Sequence, residues 1–321
     1  MRSKPLGQTG IQISMLALGG HEYLPDGRSR GFNEDMALAV TPGHVGHGYG
    51  GPKRREVLAT AYDLGINVFD VTIDSEKEAL GRNLRDLPPP YEIFVQTRPE
   101  GMCYSYDRHN RKLLDMALLR AEVKRSLGLL GRDHIDLFNV GLLAWSIDND
   151  DAYLAQLASN LATLKREGLI RFAVADSFSG ERLYLAMMAS GAFDAVNLDL
   201  NIGDAGGLRQ VVPQARQQGL GVLVREAFFK GELFRIGTEA GINDRQLLAR
   251  AAMKWVASHT PDCVIVGVDD GAQLRANAAA LDGELDDEAH RVLARLGPLQ
   301  AFQHYAAQKD AEFFEIERAP R

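Results

Sequence analysis

The sequence predicts a (β/α)8 barrel, and three observations lead there. The chain has 321 residues, long for one sandwich or helical bundle and ordinary for a barrel. From Met15 onward, short apolar runs alternate with longer segments of helical periodicity. The glycine fingerprint of an open dinucleotide-binding sheet is missing: the one glycine-rich run, Gly203–Gly207 (GDAGG), has the wrong spacing and reads as a plain loop.

The expected strands are Met15–Leu18, Asn67–Asp70, Ile93–Thr97, Ile135–Val140, Ile170–Ala175, Ala195–Leu198, Gly221–Val224 and Val264–Gly267. The expected helices are Arg54–Leu64, Ser75–Leu84, Leu113–Leu130, Tyr153–Glu167, Glu181–Ser190, Leu208–Gln218, Arg245–Ser258 and Ala272–Ala280, each with apolar residues three or four apart. Ser75 with Glu78 reads as a capping box, and Gly65, Gly168, Gly191 and Gly219 stand where a helix wants a left-handed end. Periodicity alone also permits an open sheet; the count of eight favours closure. One domain over residues 1–321 is expected.

Hydrophobic residues make up 45% and charged residues 25%, an ordinary globular mixture. A net charge of −7 lacks the basic footprint that nucleic-acid binding requires. No apolar run reaches the roughly 18 residues of a membrane span, and the opening Met1-Arg2-Ser3-Lys4-Pro5 has no signal-like stretch, so a cytoplasmic protein is expected. Cys103 and Cys263 alone make no disulfide framework.

Two stretches interrupt the repeat. Residues 21–52 form a long insertion between the first strand and its helix, a length typical of functional lids or disorder. The tail 299–321 mixes aromatics with charge and either lies across the barrel or mediates self-association.

Leu6-Gly7-Gln8-Thr9-Gly10-Ile11-Gln12-Ile13-Ser14 resembles the opening of the aldo-keto reductases, a two-stranded plug of the barrel floor. Gly65-Ile66-Asn67-Val68-Phe69-Asp70, Leu80-Gly81-Arg82-Asn83-Leu84, Ser126-Leu127, Asp133–Leu137 (DHIDL), Gly168–Arg171 (GLIR), Gly231-Glu232-Leu233 and Asn277 continue the resemblance in order over nearly the whole chain. It implies an oxidoreductase of a small carbonyl or sugar-like substrate with NADP(H) as cofactor, and a catalytic Asp, Tyr, Lys and His. Asp70 matches the aspartate. The stretch after Asp70 is shortened and holds no tyrosine; the lysine position is Arg98 and the histidine position Gly141. The pair that holds the nicotinamide amide falls on Asp176-Ser177, the family's glutamine on Asn197, and the stacking tyrosine on Arg225. The cations for the 2′-phosphate fall on Gly267 and Gln273, beside Asp269 and Asp270, with Arg275 as a replacement. Ser177, Asn197, Arg275 and Asn277 are thereby the expected cofactor contacts.

Independently of the resemblance, polar residues at the C-terminal ends of barrel strands face the mouth. They include His21, Glu22, Asp70, Arg98, Glu100, Asn139, Asp176, Asn201, Arg225 and Glu226. We expect Asp70, Arg98, Asp176 and Glu226 in catalysis, with Tyr104 as a replacement phenol, and His21, Glu22, Asn139 and Arg225 on a substrate that is anionic or sugar-like. A purely structural alternative pairs Asp70 with Arg98 and Arg225 with Glu226. Arginine stays protonated and suits anions better than proton exchange. His21, His44 and His47 lack a zinc-motif spacing, so no metal is expected, and Cys103 lacks a histidine partner. Three functions stay open: a divergent nicotinamide-dependent oxidoreductase; a non-redox lyase, isomerase or hydrolase working with carboxylates and arginines; and a silent ligand-binding barrel.

Overall fold

The structure, a computed structural model, describes residues 1–20, 51–99, 102, 107 and 109–314. Two short strands, β1 (Ser3–Pro5) and β2 (Gln12–Ser14), pair antiparallel. Eight strands follow: β3 (Leu16–Gly19), β4 (Val68–Asp70), β5 (Phe94–Thr97), β6 (Ile135–Leu142), β7 (Ile170–Ser177), β8 (Ala195–Asp199), β9 (Gly221–Arg225) and β10 (Cys263–Val266). They form a closed parallel barrel, with β10 pairing back on β3 through Val264↔Leu16, Ile265↔Ala17 and Val266↔Leu18. The (β/α)8 barrel is therefore the fold, and that last register rules out the open sheet.

Side chains alternate in and out along each strand. Phe69, Phe138, Ala175, Leu198, Val224 and Val266 face outward into the large core shared with the helices. Ala17, Val68, Phe94, Leu137, Val174, Ala195 and Leu223 face inward and meet Leu6, Ile11 and Ile13 from the hairpin. The hairpin thus closes the N-terminal end of the barrel, as the resemblance implies. Its turn sits tightly: Gly7 has φ +48°, and a Cβ there would lie 2.4 Å from the backbone nitrogen of Gly221. Gly7→Ala is expected to destabilise the protein by about 2 kcal/mol or more in urea unfolding, combining left-handed strain with a backbone clash. An unchanged midpoint would show that the plug is not sealed there.

Each expected helix is present, with ends that local chemistry adjusts. The expected helix from Leu113 begins at Met116, because Asp115 caps it by accepting from the backbone nitrogens of Ala117 and Leu118. The Ser75/Glu78 capping box is corrected: the helix runs Asp74–Asp86, and Glu76 caps it by accepting from the backbone nitrogens of Thr72 and Ile73 at 2.6 and 3.3 Å. Beyond the expected set are the helices Trp145–Asp148, Glu232–Glu239, Asp287–Ala294 and Gln300–Phe314. Among the described residues no helix is long and apolar enough to cross a membrane.

Candidate active site

Two residues beyond the apolar inward layer comes the next inward layer, and it is polar. Val68, Phe94, Leu137, Val174, Ala195 and Leu223 are followed at that spacing by Asp70, Gln96, Asn139, Asp176, Asn197 and Arg225. The strand period therefore collects polar groups from six strands at one level of the barrel. Asp70, Arg98, Asn139, Asp176, Asn197, Arg225 and Glu226 all border one cavity of about 2120 Å³ at the C-terminal end. That end is where barrels carry their chemistry.

On one side stands Asp70, half-buried at the end of β4. Gln96 donates from Nε2 to Asp70 Oδ1 at 2.8 Å. Burial lifts the Asp70 carboxyl to about 6; the hydrogen bond from Gln96 opposes the lift, the charge of Glu76 adds to it, and Arg225 and Arg98 oppose it. Glu76 is itself raised by burial, against the backbone donors of Thr72 and Ile73 and the charges of Arg54 and Arg98. Arg54 is buried beneath the site and donates to the carbonyl of Gly19 at 3.1 Å. Of the expected Asp70–Arg98 pairing, the described contacts show only the influence of the arginine's charge, one of several on Asp70, whose hydrogen-bond partner is Gln96.

On the other side Arg225 is held by two carboxylates. Its two terminal nitrogens donate to Asp176 at 2.7 and 3.0 Å, and its Nε donates to Asp199 at 2.7 Å. Asn139 Nδ2 donates to the same Asp176 at 3.2 Å. Burial disfavours the guanidinium charge, but Asp176 and Asp199 outweigh it and hold Arg225 protonated. The expected pairing of Arg225 with Glu226 is therefore corrected. Asp199 lies directly opposite Arg225 across the β8–β9 ladder, whereas Glu226 has φ +62° and pairs with Lys230 at 3.0 Å. With all three nitrogens donating to carboxylates, Arg225 is not placed to grip an anionic substrate. Phe178 lies 5.9 Å from the guanidinium and covers Gly141, where a Cβ would meet its ring at 2.4 Å.

The expected cofactor contacts divide. Asn197 and Asn277 border the cavity. Ser177 instead closes its own turn, donating to the carbonyl of Gly180 at 2.9 Å and accepting from the Ser179 nitrogen at 3.1 Å. Arg275 points outward and pairs with Asp63 at 3.0 Å, with both side chains more than half exposed. At the end of β10, Asp270 caps the helix Gly271–Leu281 by accepting from the Gln273 nitrogen, and Gln273 Oε1 accepts from the Asp269 nitrogen at 3.0 Å. Asp269, Asp270 and Gln273 line this stretch of the groove. Across the groove stand Arg245, Arg250 and Lys254, with Arg245 stacked 4.1 Å over Phe234.

Among the described residues, the buried carbonyl oxygens Asn139 Oδ1, Asn197 Oδ1 and Gln96 Oε1 have no protein partner. For Asn139 and Gln96 the orientation follows from chemistry, since each amide nitrogen donates to a carboxylate and turns its oxygen the other way. Buried acceptors of this kind call for a donor from a ligand or water. His21, Glu22, Glu100, Tyr104, His44, His47 and Cys103 lie outside the described residues. Sequence reasoning missed Gln96, Asp199 and Glu76. Gln96 shares the inward register of Phe94, so its signal was present in the strand pattern. The missed Lys309 and Tyr305 come from the helix Gln300–Phe314, which lies along the cavity; the tail to that point packs on the barrel.

A model of the Aldo/keto reductase family matches residues 44–238. The NADH-specific methylglyoxal reductase of Escherichia coli K12 is 24% identical over 246 residues, which cover 73% of this chain and 69% of the relative. Methylglyoxal reductase DkgB of Escherichia coli O157:H7 is 24% identical over 243 residues, covering 74% of this chain and 86% of the relative. Among solved structures, the holo form of an aldo-keto reductase from Bacillus halodurans superposes with a TM-score of 0.65 at 19% identity, over 92% of this chain and 96% of its own. That likeness is one of fold.

Proposed function

The chain belongs to the aldo/keto reductase family, and on that premise we propose that it is an oxidoreductase of small carbonyl compounds in which Asp70 handles the proton. The observation that carries this reading is the Asp70 carboxyl, lifted to about 6 by burial within the inward polar layer. A group titrating there serves as donor and acceptor near neutral pH. Gln96 donates to Oδ1, which leaves Oδ2 to hold the proton and pass it to the oxygen of a carbonyl being reduced. Arg98 brings a positive charge to the Asp70 side of the cavity without exchanging protons itself. In this reading the family's lysine is replaced by Arg98, its histidine by Gly141 under the Phe178 ring, and its phenol by Asp70. The orphaned oxygens of Asn139 and Asn197 suit donors, so a hydroxylated, sugar-like carbonyl compound fits better than an anion.

The cavity is about twice the upper end of the roughly 300–1,000 Å³ of a single small-molecule pocket, room for a dinucleotide beside its substrate. Asn197 and Asn277, with Arg245 on the same cavity, would hold a nicotinamide dinucleotide, which when bound supplies the hydride; Arg250 and Lys254 beside them are held by Glu288 and Asp286. Asp269 and Asp270 stand beside Gly267 and Gln273, the positions on which the resemblance puts the contacts to the NADP 2′-phosphate. Two carboxylates there favour NADH, with its free ribose hydroxyl, over NADPH.

Calorimetric titration is expected to show NADH binding with a micromolar Kd and NADPH binding about tenfold or more weakly, because bringing like charges together costs on the order of 1 kcal/mol or more. Methylglyoxal, the substrate in the relatives' names, and a hydroxylated aldehyde such as glyceraldehyde are the first pair to assay, with the hydroxylated one expected to be preferred. Tighter binding of NADPH would refute the role of the two aspartates, and no binding of either at millimolar concentration would refute the redox reading. A lyase or isomerase is the second reading. It is favoured by the double carboxylate clamp on Arg225, which fixes a guanidinium where the resemblance puts the stacking tyrosine.

A further inference from the structure

The helix Gln300–Phe314 is seated on the mouth of the barrel by shape. A Cβ at Gly180 would lie 2.0 Å from the carbonyl oxygen of Phe313, and one at Gly203 would lie 2.8 Å from the ring of Tyr305. The Tyr305 ring in turn stacks on Phe229 at 4.9 Å, the planes 9° apart. Aromatic packing against loops cut back to glycine thus already docks the helix. Yet the one buried residue of the helix is a lysine, Lys309.

Its ammonium lies 3.7 Å from Asp199 Oδ2, 3.7 Å from Asp204 Oδ2 and 3.4 Å from Glu312. A cavity of about 40 Å³ adjoins these groups, room for a water or two. The other oxygen of Asp199 takes the Nε of Arg225 at 2.7 Å. A continuous chain therefore runs from Lys309 through Asp199, Arg225 and Asp176 to Asn139, from the C-terminal helix to the far wall of the well.

An apolar side chain would seat the helix without the desolvation cost of a buried ammonium, so anchorage alone does not account for a lysine. Its charge has a second consequence. The ammonium draws Asp199 Oδ2 toward the C-terminal helix while the other oxygen takes the Nε of Arg225, so removing it takes away one of the cations that fix the carboxylate's orientation and loosens its hold on Arg225.

We propose that Lys309 is a positioning residue of the active site: through Asp199 it sets the orientation of Arg225, so that the well is complete only with the C-terminal helix docked. This rests on the site proposed above but on no particular chemistry there. The test is the ¹⁵N NMR signal of the Arg225 Nε–H in the full chain, assigned with Arg225→Lys, in Lys309→Met and Lys309→Arg; Lys309→Gln replaces the methionine variant if that one does not fold.

The signal is expected to move and broaden in Lys309→Met and to return in Lys309→Arg, with both variants folded by far-UV circular dichroism. The kcat/KM for methylglyoxal with NADH is expected to follow it, falling about tenfold in Lys309→Met and recovering in Lys309→Arg, as misplacement within a site does. An Arg225 signal that stays in place in the folded charge-free variant overturns the proposal. A parent protein without reductase activity overturns the redox reading alone, because the Arg225 readout needs no substrate.

Discussion

Asp70→Asn is expected to lower turnover about 10²–10⁴-fold, the usual worth of a positioned proton donor, while leaving the barrel folded. The asparagine oxygen still accepts from Gln96 Nε2 as Asp70 Oδ1 does. What it cannot do is deliver a proton. In the parent protein the rate of carbonyl reduction is expected to fall as pH rises through about 6, where Asp70 loses the proton it donates. In Asp70→Asn that limb disappears.

Stability supplies an independent check with its own sign. The Asp70 carboxyl titrates near 6 when folded and near its ordinary value of 3.8 when unfolded. Below both values the group is protonated in both states and has no effect. Between them the folded state keeps a proton that the unfolded state has released, so stability falls as pH rises through that window. Above about 6 the cost is constant, on the order of 1 kcal/mol after allowance for partial exposure. Asp70→Asn is therefore expected to melt higher than the parent at pH 8, with the gain shrinking toward pH 4. A pH–rate limb near 6 that survives the substitution would assign the proton to another group.

The largest loss of stability is expected from Arg225→Ala. Among the described residues it leaves Asp176, 1% exposed, with the Asn139 amide as its remaining side-chain donor, and removes the Nε donor from Asp199. Deleting one partner of a buried ion pair costs about 3–5 kcal/mol, most of it the stranded charge. Arg225→Lys recovers only part of this, because one ammonium cannot reproduce the fork to Asp176 and the third bond to Asp199. Denaturant unfolding of Arg225→Ala, Asp176→Asn and the double variant gives the coupling directly. A loss below about 1 kcal/mol in Arg225→Ala would mean that solvent reaches the pair and screens it. The same substitution removes a charge that holds the Asp70 carboxyl down, so the pH–rate limb is expected to move upward.

The barrel itself was legible because its signals are local. Apolar runs mark strands, amphipathic spacing marks helices, and Gly65, Gly168, Gly191 and Gly219 do carry positive φ. The inward polar layer was nearly legible as well. Once Val68, Phe94, Leu137 and Leu223 are read as inward, Asp70, Gln96, Asn139 and Arg225 follow from the period of two. Gln96 escaped notice because an uncharged amide inside a strand draws no attention until its neighbour is an aspartate.

What the amino-acid order determined alone is the succession of eight strands with their helices and the set of polar side chains at the strand ends, since each depends on the conformation of a short segment and the spacing within it; closure itself was decided by the pairing of β10 with β3, about 250 residues apart. Only the tertiary structure decided who pairs with whom. Arg225 takes Asp199 and Asp176 rather than the adjacent Glu226, because strand neighbours stand closer in space than the next residue around a left-handed turn. Ser177 and Arg275 turn to Gly180 and Asp63, and Lys309 reaches Asp199 from 110 residues down the chain. Partner choice depends on distances set by the register of the whole barrel, and no stretch of sequence short enough to carry a pattern contains them.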